Sequence, residues 1–176
     1  LLHTKPTSYT LGYFALERMI QILESSQASM VYADHYQIVE GNRTNHPVID
    51  YQFGSLRDDF DFGSLRLIKS SAFMEAISRM NVDYQFAGFY DFRLKLSQKG
   101  ELVHINEYLY TETLSDNRKD SEKMFDYVDP KNRQVQVEME QACTEYLKEI
   151  GGYLSPKFQP ISFDKEPFEF EASVII

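Results

Sequence analysis

The sequence predicts an α/β domain, a mixed sheet held between helices, and three observations predict it. Amphipathic helical stripes alternate along the chain with short extended runs. The run Ser29-Met30-Val31-Tyr32-Ala33 follows a helical stripe and is apolar nearly throughout, as expected of a strand covered on both faces. A long stripe over 129–150 closes the pattern and is expected to pack against the sheet. With 176 residues, 43% hydrophobic and 14% aromatic, the chain is long enough for one ordinary domain with a sizeable core.

The elements follow in order. Leu1 to Thr4 reads as the end of a strand, and Lys5-Pro6-Thr7-Ser8 as a turn. Leu11, Phe14, Ala15, Met19, Ile22 and Leu23 recur at helical spacing, which predicts a helix over 11–25 with Thr10 as its N-cap. The strand from Ser29 continues extended through Asp34 to Val39 and turns at Glu40-Gly41-Asn42. Residues 43–49 return as a hairpin arm, which Pro47 restricts to a sheet edge. The polar stretch 51–59 is a loop, and 60–68 a strand with Gly63 marking a close backbone approach. Ser70 or Ser71 is expected to cap a helix with Phe73, Met74, Ile77 and Met80 on one face. A second helix spans Tyr90 to Gln98, with Gly100 suited to a left-handed position just past its end. Residues 101–110 alternate as a strand. The polar stretch 115–129 reads as a solvated loop. Asp129 caps the long helix with Pro130 at its first position, and Gly151-Gly152 ends it. The proline-bearing stretch 151–171 reads as a linker, and 172–176 as an apolar strand.

The totals narrow the function. A net charge of −9 disfavours a nucleic-acid partner, because binding a phosphate backbone needs a basic face. The single cysteine, Cys143, cannot form an internal disulfide, which suits a reducing, cytoplasmic compartment. No apolar run approaches the ~18 residues of a membrane span. Both ends read as cuts through strands, so a fragment of a longer protein is expected. The apolar end Val174-Ile175-Ile176 is expected to pair with a sheet, of its own chain or of a second copy.

The segments Phe14-Ala15-Leu16-Glu17-Arg18-Met19, Phe62 to Glu75, and Asp91-Phe92-Arg93-Leu94-Lys95-Leu96 with Lys99-Gly100 carry a resemblance. In this order they resemble the second half of a family 2 glycosyltransferase domain of the GT-A class, over about residues 1–115. The terminal Ala172-Ser173-Val174-Ile175-Ile176 resembles the first strand of another such domain. The resemblance implies a three-layer GT-A-like fragment (1–150), a linker (151–171) and the start of an adjacent glycosyltransferase domain (172–176). It implies a parent that transfers a sugar from a nucleotide-sugar to a glycan or lipid-linked acceptor, aided by a divalent metal, Mg²⁺ or Mn²⁺. It also leaves open a non-catalytic domain that packs on, or presents acceptor to, an active neighbour.

The motifs depart from the family's pattern. Where the family has its metal-binding Asp-x-Asp, this chain has Thr4-Lys5-Pro6-Thr7, in which Lys5 can meet a phosphate but cannot hold a metal. Where the family has a catalytic acidic pair, this chain has Gly88-Phe89. Asp91 is the surviving candidate for the base that takes the acceptor's proton. Asp34-His35 stand at a strand end, where α/β ligand sites lie, and read as substrate contacts or as a hydrogen-bonded pair. Asp58, Asp59 and Asp61 read as a substrate-binding or metal-binding cluster, or as turn and capping residues. His104 sits mid-strand with no carboxylate neighbour in sequence and reads as a packed or surface histidine.

Overall fold

The computed structural model describes residues 1–114 and 133–160. Six strands and four helices are described: β1 (Leu2–His3), β2 (Ser8–Leu11), α1 (Ala15–Ser26), β3 (Met30–Val39), β4 (Asn42–His46), β5 (Leu65–Ile68), α2 (Ser70–Ser78), α3 (Gly88–Ser97), β6 (Leu102–Thr113) and α4 (Arg133–Glu149). The fold is α/β around one mixed sheet, in the order β1-β5-β3-β6-β2, with β4 also on β3.

β3 is the template. It pairs with β6 in parallel along one edge. The other edge is shared, β5 taking Met30 to Tyr32 and β4 taking His35 to Val39, both antiparallel. The apolar run that opens β3 reflects two covered faces. Val31 and Ala33 pack with Ala15 and Met19 of α1 and with Ile105 and Leu109 of β6. Met30 and Tyr32 face the opposite way, onto Ala72 and Ala76 of α2 and Phe92 and Leu96 of α3. Outside α3 lies α4, whose Ala142 and Tyr146 cover Ala87, Tyr90 and Leu94. α3 is therefore buried on two sides, and every residue from Tyr90 to Ser97 is buried.

Sequence and structure part company where tertiary pairing overrides local pattern. The first helix begins at Ala15, not Leu11, because Ser8 to Leu11 pair with Thr113 to Tyr110 of β6. Thr10 therefore lies in a strand and caps nothing. Ser70 and Ser71 lie inside α2, whose cap position is Lys69. Only 65–68 of the expected strand over 60–68 is ladder-paired. Gly100 does not take a left-handed conformation. Its requirement is space, since a Cβ there would lie 2.6 Å from Ser29 Oγ. Gly151 does adopt positive φ (73°), and the N–H groups of Gly152 and Tyr153 donate to Leu147 O at 2.8 and 3.0 Å, ending α4 as expected. The loop over 115–129, the cap residues Asp129 and Pro130, the later part of the linker and the terminal strand lie outside the described residues.

One irregularity shapes the site. While β3 advances from Ala33 to His35, β6 advances from Ile105 to Tyr110, so β6 bulges beside Asp34. The bulge is held from the α1 side. Arg18 makes a two-pronged contact with Glu107 (Nη2 to Oε1 2.6 Å, Nε to Oε2 3.1 Å), and Gly12 N–H donates to Leu109 O at 2.8 Å.

Candidate functional site

An open groove of about 770 Å³ runs between the loop after β4 and the start of β6. Tyr32 and His104 are direct neighbours in the β3–β6 ladder, and their rings stack with centroids 5.3 Å apart. Each ring nitrogen of His104 meets a carboxylate: Nε2 lies 2.9 Å from Asp34 Oδ1, and Nδ1 lies 2.8 Å from Asp50 Oδ1. Asp34 is itself fixed, because Oδ1 also accepts the Val48 N–H at 2.8 Å. The Tyr32 hydroxyl donates to Ile49 O at 2.7 Å and accepts the Tyr51 N–H at 2.8 Å. Two side chains of β3 thus clamp the 48–51 backbone and hold Asp50 over His104. The Asp50 side chain stays 79% exposed while His104 is 7% exposed. Gln98, Lys99, Tyr51 and Phe53 also line the groove, adding an amide, a cation and two aromatic rings.

A second polar cluster lies further along β3 and is sealed. His35, Tyr110 and Glu112 are each at most 1% exposed. The rings of His35 and Tyr110 stack, 4° from parallel with centroids 4.7 Å apart. The Tyr110 hydroxyl accepts the Ser64 N–H at 3.0 Å. Glu112 receives the Thr7 hydroxyl at 2.7 Å, with His35 Nε2 at 3.5 Å and Lys5 Nζ at 3.7 Å. Burial on its own raises the Glu112 carboxyl, but His35, Thr7 and the Lys5 charge outweigh it and hold it down at about 2. These contacts tie the loop after β1 and the approach to β5 onto the end of β6.

The residues singled out in the sequence are thereby distributed. Asp34 and His35 are adjacent in sequence but serve the two different clusters, one on each side of the bulge. Asp61 joins the sealed cluster from outside, meeting His46 Nε2 at 2.7 Å and accepting the Gly63 N–H at 2.8 Å. Asp59 pairs with Arg57 on the exposed loop, and Asp58 lines a small pocket beside Arg66 and Arg93. The three acids do not converge. Among the described residues, no three His, Cys, Asp or Glu side chains gather to hold a metal ion. Lys5 faces Glu112 and is committed within the protein.

Asp91 lies away from the groove. It is fully buried, and neither carboxylate oxygen has a hydrogen-bond partner among the described residues. Its nearest cation is Lys95 Nζ at 3.8 Å, which makes a closer contact of 2.6 Å with Glu149 of α4. Burial raises the Asp91 carboxyl, Lys95 opposes the rise, and the Glu145 and Glu149 charges add to it.

Sequence reasoning missed His104 and Asp50. His104 has no acidic neighbour in its own strand, and its two carboxylates come from β3 and from the loop after Pro47. The signal lies in the parallel register, which places Tyr32 beside His104, and register is not written in either strand alone. No family model matches the chain, and no curated protein matches it.

Proposed function

We propose that this chain is a GT-A-like domain of a glycosyltransferase that binds a glycan in the groove beside His104 and presents it to a catalytic neighbour, rather than transferring the sugar itself. The observation that carries the reading is the contrast between two carboxylates. Asp91, the position nearest the family's base, is 0% exposed and enclosed between α3 and α4. A general base must come within hydrogen-bond reach of the hydroxyl it deprotonates. Asp50 is open, oriented by His104 and flanked by exposed Phe53, the combination of carboxylate and aromatic face that suits sugar hydroxyls and the apolar face of a pyranose ring.

The residue pattern of 1–115 supports the family assignment, and the parallel β3–β6 pair reached through α3 is compatible with it. Among the described residues no cluster of His, Cys, Asp or Glu side chains fits a divalent metal, so no step is routed through one. A nucleotide-sugar and its metal belong, on this reading, to the adjacent domain.

The test is calorimetric titration of the chain with neutral oligosaccharides and, separately, with UDP and GDP in the presence of Mn²⁺. Saturable oligosaccharide binding that is lost in Asp50→Ala and Phe53→Ala, without Mn²⁺-dependent nucleotide binding, is expected. Metal-dependent nucleotide binding by this chain would overturn the non-catalytic reading in favour of a transferring domain.

A further inference from the structure

We propose that the pocket between β5 and the middle of α3 binds an oxyanion, a phosphate or carboxylate group of a ligand, with Arg66 and Arg93 as its cations. This site is separate from the groove beside His104 and does not depend on the reading above.

Strand alternation creates it. Leu67 packs with the α1-side cluster, so Arg66 and Ile68 point to the opposite face, beneath α3. The Arg66 side chain is partly buried and makes no hydrogen bond or ion pair among the described residues. Its Nε is fully enclosed without a partner, and its guanidinium lies 5.0 Å from the centre of the Phe62 ring. Across the pocket, Arg93 is 4% exposed and is clamped by two loop carbonyls, Ser55 O at 3.1 Å and Arg57 O at 2.8 Å. Among the described residues, neither guanidinium has a carboxylate within ion-pair distance. A cation taken out of water without a counter-charge is costly, and chains usually avoid it by pairing. Burial first, and the Arg93 charge as well, hold the Arg66 guanidinium below its usual range, against the pull of Asp61.

The shape suits one small group. The cavity holds about 90 Å³ and is walled by Phe60, Phe62, Phe89 and Tyr90. At roughly 30 Å³ per water, that is the room of about three waters, enough for one oxyanion. A guanidinium offers several N–H donors in a planar fork that matches phosphate and carboxylate oxygens. Asp58, on the exposed loop, also lines the pocket and is the internal competitor for the same two cations.

The experiment uses the full chain and two probes, inorganic phosphate and glucuronate, titrated at constant ionic strength and followed by calorimetry and by thermal midpoint. Each probe is read separately, so that a preference for phosphate or for carboxylate names the source. At least one probe is expected to bind saturably and to raise the midpoint. Arg66→Met is expected to weaken that binding by about tenfold or more, and to raise the midpoint of the probe-free protein by removing an unpaired charge. Asp58→Asn is expected to tighten binding by removing the competitor. Failure of both probes to bind the wild type would overturn the proposal, as would equal binding by Arg66→Met. If Arg66→Met does not fold, Asp58→Asn decides: tighter binding upholds the site, whereas unchanged binding with a lowered midpoint makes Asp58 the resident counter-ion and overturns it.

Discussion

Two buried carboxyls respond to acid in opposite directions. Glu112 titrates at about 2 in the folded chain against 4.5 for its ordinary value. Its contribution is therefore present above about pH 4.5 and is lost as the pH falls toward 2, an effect of up to about 3 kcal/mol. Glu112→Gln is expected to cost stability at pH 7, and urea midpoints measured against pH should converge with wild type near pH 2. Asp91 behaves in reverse. Its folded value is raised by burial, so its charged form is a liability at neutral pH. Asp91→Asn is expected to raise the urea midpoint at pH 7, an advantage that shrinks as the pH falls and wild-type Asp91 becomes protonated. An exposed catalytic base would show no such gain. Gly63 supplies a steric contrast. It sits at φ +71°, and an added Cβ would collide with the Tyr110 hydroxyl and approach His35 Nδ1 to 3.3 Å. Gly63→Ala is expected to cost about 2–4 kcal/mol by denaturant titration. Gly41→Ala, at φ +81° with nothing within 4 Å, should cost only about 1–2 kcal/mol, the backbone term alone.

At the scale of elements, α3 shows what sequence conveys and what it withholds. The sequence shows a helix in which Arg93 and Lys95 are interleaved with Phe92, Leu94 and Leu96, and does not show what meets the two cations. Both are buried because the 55–57 loop carbonyls and α4 come to them from far along the chain. Neither partner is visible from α3 itself. The start of α1 failed for a related reason: Leu11 fits the helical stripe, but the β6 edge claims it first. The α3–α4 clasp is an ionic knot in which Glu149 takes Lys95 at 2.6 Å, Gln98 at 2.9 Å and Arg79 at 3.1 Å. Glu149→Leu removes the closest partner of the fully buried Lys95 and leaves it only the longer contacts to Asp91 (3.8 Å) and Glu145 (3.9 Å), and is expected to cost about 1–3 kcal/mol. Removing both charges in Lys95→Met/Glu149→Leu should recover most of that loss, and a double-mutant cycle on urea midpoints measures the coupling.

For the molecule as a whole, the α/β class, the central strand and most element positions were legible, because burial on two faces and helical periodicity are local signals. The sheet order, the bulge beside Asp34 and the meeting of His104 with Asp34 and Asp50 were not, because each depends on the register between strands separated by about seventy residues of chain. The charge of −9 is also a whole-molecule property. Its self-repulsion is screened by salt, so the thermal midpoint should rise modestly as sodium chloride is raised toward about 0.15 M. β3, finally, is flanked on both edges: β6 lies along one side, and β5 (against Met30 to Tyr32) and β4 (against His35 to Val39) take most of the other. Its amides can reach deuterated solvent only after a neighbouring strand lets go. The β4 hairpin, exposed over most of its length, can release the outer half in a local opening, whereas freeing the inner half requires the sheet to come apart. Exchange measured residue by residue should therefore divide this one strand into a fast half and a slow half, with Val31 and Ala33 among the last amides to exchange.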